Sequence, residues 1–348
     1  MGTRSIWLPP DASRSAARDE VTKIGLPLPE LSAPEVEFSF AELFAQHYDR
    51  IRTTVLKHLQ PGVQVFAIDA RGVRGELWLK TDGTLRSASI GRHSHADLHL
   101  DGDEALSLRH MALLARRVDE ALTIRIVDLR TTSGLVDESG RRLAALTTNG
   151  PAFVAAGRHR IFLFPTGPGM RWPSSPSDAW LALPPRTFLD AAPAGENPPD
   201  FSAATDPKLR NPDFRPSDRV RSPEVTIVPH AAPLECDFRS WLIEGESALG
   251  HLVLTHRLGV TRAAVGATAA ARGLLLGRYE RCELPGLDST VSRVHALVIR
   301  ETGALHVVDV GSTNGTLLDG KRISCEPLTP DSVFRLGYDL WLRWEPAT

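Results

Sequence analysis

The chain has 348 residues and a net charge of −2, with 40 Lys and Arg nearly balanced by 42 Asp and Glu. That balance supplies no general field for nucleic acid or an acidic membrane surface, and no run reaches the roughly 18 apolar residues that a spanning helix needs. Three cysteines, Cys236, Cys282 and Cys325, are an odd number without metal-ligand spacing, so reduced thiols in a cytoplasmic protein are expected in place of a disulfide framework.

Residues 1–38 are rich in Pro, Ser and Ala, lack the long apolar core of a signal peptide, and read as flexible. Ser39-Phe40-Ala41-Glu42 fits a capping box, a hydroxyl at the N-cap with a carboxylate three residues on. Phe40, Leu43, Phe44, Tyr48, Ile51, Val55 and Leu59 then recur at helical spacing until Pro61-Gly62. This predicts one amphipathic helix over 39–60, packed on the domain that follows; a partner-binding or dimerising helix is the other reading.

From Val63 the period changes to short strands, which continue to about residue 165. Ile90-Gly91-Arg92, Ser107-Leu108-Arg109-His110 and Val127-Asp128-Leu129-Arg130-Thr131-Thr132-Ser133-Gly134 are matched further on by Gly277-Arg278, Ser292-Arg293-Val294-His295 and Val308-Asp309-Val310-Gly311-Ser312-Thr313-Asn314-Gly315. Gly91 to Ser107 is 16 positions and Gly277 to Ser292 is 15, while Asp128 to Gly134 and Asp309 to Gly315 are both 6. The chain contains a diverged internal repeat. In this comparison Gly75-Glu76-Leu77-Trp78-Leu79 pairs with Gly250-His251-Leu252-Val253-Leu254, and Arg257 to Arg272 is read as an inserted surface excursion.

Residues 166–235 are dense in Pro, Ser, Ala and Asp with little period, and read as a long, partly extended linker with apolar islands such as Trp180-Leu181-Ala182-Leu183. The second domain runs over 236–348. Asp319-Gly320 favours a two-residue hairpin turn there, and the runs 274–276, 296–299 and 305–308 read as buried strands.

The polar clusters between those runs form a site carried on loops. Arg278 and Arg293 offer fixed forks of donors, Ser292 and Thr313 offer hydroxyls, and Asn314 offers an amide able to hold a peptide main chain in register. Two guanidiniums with hydroxyls and glycine-flanked backbone donors suit a tetrahedral dianion better than a carboxylate, and phosphate is the natural ligand. Taken singly, Arg278 would pair as well with Asp288 or Glu280, and Ser312-Thr313-Asn314-Gly315 would serve as a plain turn. His295, between Val294 and Ala296 in a strand, reads as a satisfied core residue.

The ordered set Gly277-Arg278, Ser292-Arg293-x-His295 and Ser312-Thr313-Asn314-Gly315-Thr316, closed by Leu328–Gly337, resembles the signature of the forkhead-associated (FHA) family. The resemblance implies an all-β fold: two FHA-like antiparallel β-sandwich domains, at 61–165 and 236–348, joined by the long Pro-rich linker, with one N-terminal amphipathic helix. It implies a non-catalytic module that recognises phosphothreonine in a partner protein. Arg278 and Ser292 would hold the phosphate, Thr313 would assist, Asn314 would hold the peptide backbone, and Arg293 would sit at the edge. Gly277, His295 and Gly315 would shape the loops. The partner expected is a phosphothreonine-containing protein, a Ser/Thr kinase or its substrate, with no cofactor, no metal, no nucleic acid and no membrane.

The first copy departs from the pattern. Arg92, Ser107 and Thr132 are retained, but the arginine after the serine is displaced to Arg109 by Leu108, and Ser133 replaces the asparagine. It reads as a degenerate site with a structural or phosphate-independent role. His93, His95 and His99 lack a cysteine or carboxylate frame and read as solvated loop residues, not a metal site. Thr187-Phe188-Leu189-Asp190 is a T-x-x-D pattern, conceivable as an internal ligand when phosphorylated. The adaptor in kinase signalling is the first functional reading. A phosphate-independent scaffold using both sandwiches, as a secretion-system or kinase-linked component, is the alternative. No Walker loop, G-x-S-x-G or kinase lysine set supports an enzyme.

Overall fold

The computed structural model describes residues 38–119, 121–169, 171–184, 190–193, 236–256, 259–279, 281–283 and 289–347, with backbone alone for 190–193 and 236–238. The chain enters through α1 (Phe40–Gln46) and α2 (Tyr48–Lys57), consecutive helices joined at His47. The capping box forms as the sequence indicates: Glu42 N–H donates to Ser39 Oγ, and Ser39 N–H donates to the Glu42 carboxylate. The helical stripe ends before Leu59, which is 72% exposed. Its apolar face does pack on the following domain, where Leu43, Phe44, Tyr48, Ile51 and Val55 meet Phe66, Ile68, Phe153, Phe162 and Phe164.

The first sandwich comprises β1 (Gly62–Asp69), β2 (Gly72–Lys80), β3 (Arg86–Gly91), β4 (Leu98–His99), β5 (Met111–Val118), β6 (Ala121–Asp128), β7 (Leu135–Asp137), β8 (Arg142–Thr148), β9 (Ala152–Ala156) and β10 (His159–Thr166). The strand order is β2-β1-β10-β9-β7-β8-β6-β5-β3-β4, and β8 pairs both β7 and β6, joining the two faces. β1 is buried along its whole length because both faces are covered. Val63, Val65 and Ala67 face the sandwich interior, while Phe66 and Ile68 face the helices. A strand buried on both sides reads as a near-continuous apolar run, which is how Val63–Ile68 appears in the sequence apart from the buried Gln64.

The start of the predicted linker folds back onto this sandwich. Helix α3 (Pro176–Ala182) begins at Ser175, whose hydroxyl accepts from Asp178 N–H; Trp172 stacks on Phe44 and Trp180 packs against it at a tilt. β11 (Asp190–Pro193) pairs antiparallel with β8. Thr187 lies outside the described residues, as does most of the Pro-rich stretch.

The second sandwich comprises β12 (Cys236–Trp241), β13 (Ala248–His256), β14 (Gly259–Gly266), α4 (Ala267–Arg272), β15 (Leu274–Leu276), β16 (Ala296–Glu301), β17 (Ala304–Asp309), β18 (Thr316–Leu318), β19 (Lys321–Ile323), β20 (Cys325–Pro327), β21 (Phe334–Leu336) and β22 (Leu340–Pro346). One sheet runs β12-β14-β13-β22-β21-β18-β19 and the other β15-β16-β17-β20. The order of the first sandwich recurs: β14-β13-β22-β21-β18 answers β2-β1-β10-β9-β7, and β15-β16-β17 answers β3-β5-β6. The predicted excursion at 257–272 is therefore corrected. It carries strand β14 and helix α4, and Gly250–Leu254 belongs to the counterpart of β1, not of β2. Alternation in β14 is weak because Ala and Gly occupy its positions, so the period that marks a strand was faint.

The two sandwiches join through their smaller sheets. On β5 and β6, Leu113 and Ile126 point into the first interior, while Ala112, Leu114 and Val127, with Leu129 just beyond β6, point out. The outward residues meet Leu275, Leu297, Ile299, Val308 and Val310 in one buried cluster. Ala112/Leu297, Leu114/Ile299, Val127/Val308 and Leu129/Val310 are equivalent positions in the two copies, so each copy gives the same face of its smaller sheet to the seam. Arg125 pairs with Glu301 at 2.6 Å and Arg130 with Glu283 at 2.7 Å across the seam.

Candidate functional site

β15 ends at Leu276 because the chain must pass under the next loop: a Cβ on Gly277 would stand 2.3 Å from the Arg293 carbonyl oxygen. The close approach lets Arg278 N–H donate to the Ser292 carbonyl at 3.1 Å and Tyr279 N–H to that of Arg293 at 2.8 Å. Arg278 is exposed, and its Nε donates to the Val291 carbonyl at 2.6 Å. One edge of the guanidinium is thus anchored. Its terminal nitrogens have no hydrogen-bond acceptor among the described residues. Asp288 and Glu280 lie outside the described residues.

His295 is fully buried and works as a strut. Ser292 N–H donates to its Nδ1 at 3.0 Å, which places the ring proton on Nε2, and Nε2 donates to the Gly315 carbonyl at 3.2 Å. Burial, opposed by Asp309, pushes its pKa down to about 4, so the imidazole is neutral near pH 7. Through this ring the Ser292 loop and the Ser312–Thr316 loop are tied together. They are tied again at the surface, where Thr313 N–H donates to Ser292 Oγ at 3.0 Å and the two hydroxyls lie 3.4 Å apart. Asn314 Nδ2 donates to the Thr290 carbonyl at 2.6 Å, a third link between the same loops.

Two residues that organise the site were not singled out from sequence. Asp309 accepts from the N–H groups of Gly311 (3.0 Å), Ser312 (2.9 Å) and Thr316 (2.9 Å) and from the hydroxyls of Ser312 and Thr316. Its signal was an Asp at the end of an apolar run followed by Gly and Ser, an Asx-turn pattern. Arg322 lies over Gly315, which holds φ +81, and donates to the Ser312 carbonyl at 2.6 Å. A side chain arriving from the next hairpin has no local sequence signal.

The structure brings Arg278, Ser292, Thr313 and Asn314 onto contiguous loops at one end of the second sandwich. Arg293 is exposed beside them, and Gly277, His295 and Gly315 lie beneath as packing and turn residues. The first copy keeps the same framework. Arg92 Nε donates to the Leu106 carbonyl at 3.0 Å, and Ser107 N–H to His110 Nδ1 at 3.2 Å. The His110 ring meets the Gly134 carbonyl at 3.0 Å. Ser133 Oγ donates to the Ala105 carbonyl at 3.1 Å where Asn314 reaches Thr290, so the short side chain is consumed by the loop contact. Thr132 Oγ1 accepts from Arg281 of the second sandwich at 3.3 Å.

A β-sandwich presenting an exposed arginine, two coupled hydroxyls and an amide on its connecting loops has the donor chemistry that an anionic ligand requires. The family model of the FHA domain matches residues 274–337, the segment that carries all three clusters, and the chain thus bears an FHA domain. The oxoglutarate dehydrogenase inhibitor of Corynebacterium diphtheriae is 37% identical over 78 residues, 21% of this chain and 54% of that protein, so the chain spans about half the length of this curated relative. Among solved structures, the Slr1951 protein of Synechocystis sp. is 20% identical and covers 28% of this chain and 98% of its own, with a TM-score of 0.26. The FHA domain of CT664 from Chlamydia trachomatis is 22% identical and covers 30% and 96%, with a TM-score of 0.25.

Proposed function

We propose that this chain is a non-catalytic adaptor whose C-terminal FHA domain docks a phosphothreonine-bearing protein in Ser/Thr kinase signalling. The observation that carries the reading is Arg278, held at Nε by the Val291 carbonyl with its outer edge directed away from that anchor, beside the linked hydroxyls of Ser292 and Thr313. A phosphothreonine carries roughly −1.5 to −2 charges at neutral pH, and such a fork and hydroxyl pair offer it charge-assisted donors. Asn314, already bonded through Nδ2, retains its carbonyl oxygen for the N–H of a bound peptide. Arg293 adds positive charge at the edge. The first copy, with Arg92, Ser107 and Thr132, serves as a structural partner with a degenerate site. Cys282 and Cys325 are free thiols, and burial pushes the pKa of each up to about 12.

The test is Arg278→Ala in the full chain against a phosphothreonine peptide selected by the wild type. The loss of the main phosphate contact should cost about 2–3 kcal/mol, roughly 30- to 150-fold in affinity. An unchanged affinity in a folded variant would remove Arg278 from the site. Absence of any phosphothreonine-dependent binding by the wild type would favour the phosphate-independent scaffold.

A further inference from the structure

The loop that carries Thr313 and Asn314 is held from outside its own sandwich. Arg109, on the segment between Ser107 and β5 of the first copy, is 7% exposed and donates through Nε (3.0 Å) and Nη2 (2.5 Å) to the carbonyl of Gly311. Gly311 holds φ +77 and directly precedes Ser312-Thr313-Asn314. The first copy also packs on its Cα: a Cβ there would stand 3.0 Å from the His95 carbonyl oxygen and 3.2 Å from Ser89 Oγ. Any larger residue would press this loop away from the first sandwich.

The placement follows from the one-residue displacement seen in the sequence. Aligned on the strut histidines His110 and His295, Leu108 takes the position of exposed Arg293, and Arg109 takes that of Val294, which lies in the buried seam. The guanidinium that the first copy lacks at its own rim is thereby turned into the interface. Burying a guanidinium against a neutral carbonyl carries a desolvation cost that only well-formed hydrogen bonds offset, so Arg109 and the conformation at Gly311 stabilise each other. Burial lowers the pKa of Arg109, Asp309 opposing and Arg293 adding to the shift.

We propose that Arg109 is a positioning residue for the neighbouring FHA site: the first copy holds the 311–314 loop of the second in the shape that binds phosphothreonine. This rests on the reading that the second sandwich binds that ligand. Arg109 makes no contact with the phosphate and acts through the Gly311 carbonyl.

The experiment titrates the full chain with a phosphothreonine peptide that the wild type binds. Arg109→Ala should weaken binding about tenfold, and Arg109→Lys, which keeps one donor to the carbonyl, should recover part of that loss. Arg125→Ala breaks the Arg125–Glu301 pair at the end of the same seam remote from the loops, so it should lower the unfolding midpoint while changing affinity less than about twofold. In amide spectra the Arg109→Lys shifts should concentrate at residues 311–315. Wild-type affinity in Arg109→Ala, or an equal loss in Arg125→Ala, overturns the proposal while leaving the ligand assignment intact. If the wild type binds no phosphothreonine peptide, it is the ligand assignment that fails, and this proposal falls with it.

Discussion

Replacing Asp309 by asparagine changes one atom and should release the loop that forms half of the site. In the wild type Oδ1 accepts from the N–H groups of Gly311 and Ser312 at 3.0 and 2.9 Å. Oδ2 accepts from Thr316 N–H at 2.9 Å and from the hydroxyls of Thr316 and Ser312. Asparagine has a single acceptor oxygen. If that oxygen stays on Gly311 and Ser312, its amino group faces the buried Thr316 N–H; if it turns, two N–H groups are orphaned. The hydroxyls can rotate to accept from the amide, so the loss falls on the backbone donors. An orphaned N–H costs about 1–3 kcal/mol, and weakening the charge-assisted bonds to neutral ones costs a further 1–2 kcal/mol or so. We expect Asp309→Asn to lower the unfolding free energy by about 2–5 kcal/mol in urea denaturation of the full chain. The same variant should weaken phosphothreonine-peptide binding about tenfold or more, because the Thr313 N–H to Ser292 Oγ link depends on this turn. Thr316→Val, which removes one hydroxyl and leaves the carboxylate, should cost only about 1 kcal/mol. A variant at Asp309 within about 1 kcal/mol of the wild type would refute the claim that one carboxylate organises the loop.

Stability should also depend on pH through His295. Its folded pKa is pushed by burial from 6.5 to about 4, so its contribution is fully present above pH 6.5 and is lost as pH falls towards 4. His110 in the first copy is shifted in the same direction for the same reason, burial being the larger cause and the Gly134 carbonyl opposing. Urea unfolding at pH 7 and pH 4.5 should show the decline, and a His295→Asn variant should flatten it; an unchanged pH profile in that variant would remove the histidine as its source. At the seam, Leu297 is fully buried, and Leu297→Ala should cost about 2–5 kcal/mol with no change in the strand register of its own sheet. An unfolding midpoint equal to that of the wild type would contradict the packing of the two smaller sheets.

The clusters at 277–278, 292–295 and 312–316 were legible in the sequence because each needs a particular residue for a local reason. Gly277 must pass under the Arg293 carbonyl, and Gly315 must hold a positive φ. The strand between Gly259 and Gly266 was not legible, since small residues blur its alternation, and Gly250-x-Leu252-x-Leu254 was therefore matched to the second strand of the first copy when it forms the first. The seam was hidden for a different reason. Leu297 and Ile299 alternate with Ala296 and Val298, which fill the second interior, so residues 296–299 read as a continuous apolar run whichever neighbour covers the outer face. Arg109 looked like a displaced site residue. Its role depends on a carbonyl 202 positions further along the chain, which no local pattern encodes.

The central claim is that the loops around Arg278 read phosphothreonine. Its most direct measurement is titration of the full-length chain with a library of phosphothreonine peptides, against phosphoserine and unphosphorylated forms of the same sequences. The account predicts selective binding of phosphothreonine at about micromolar affinity, near −8 kcal/mol. Equal binding of the three forms, or none by the folded protein, would contradict it.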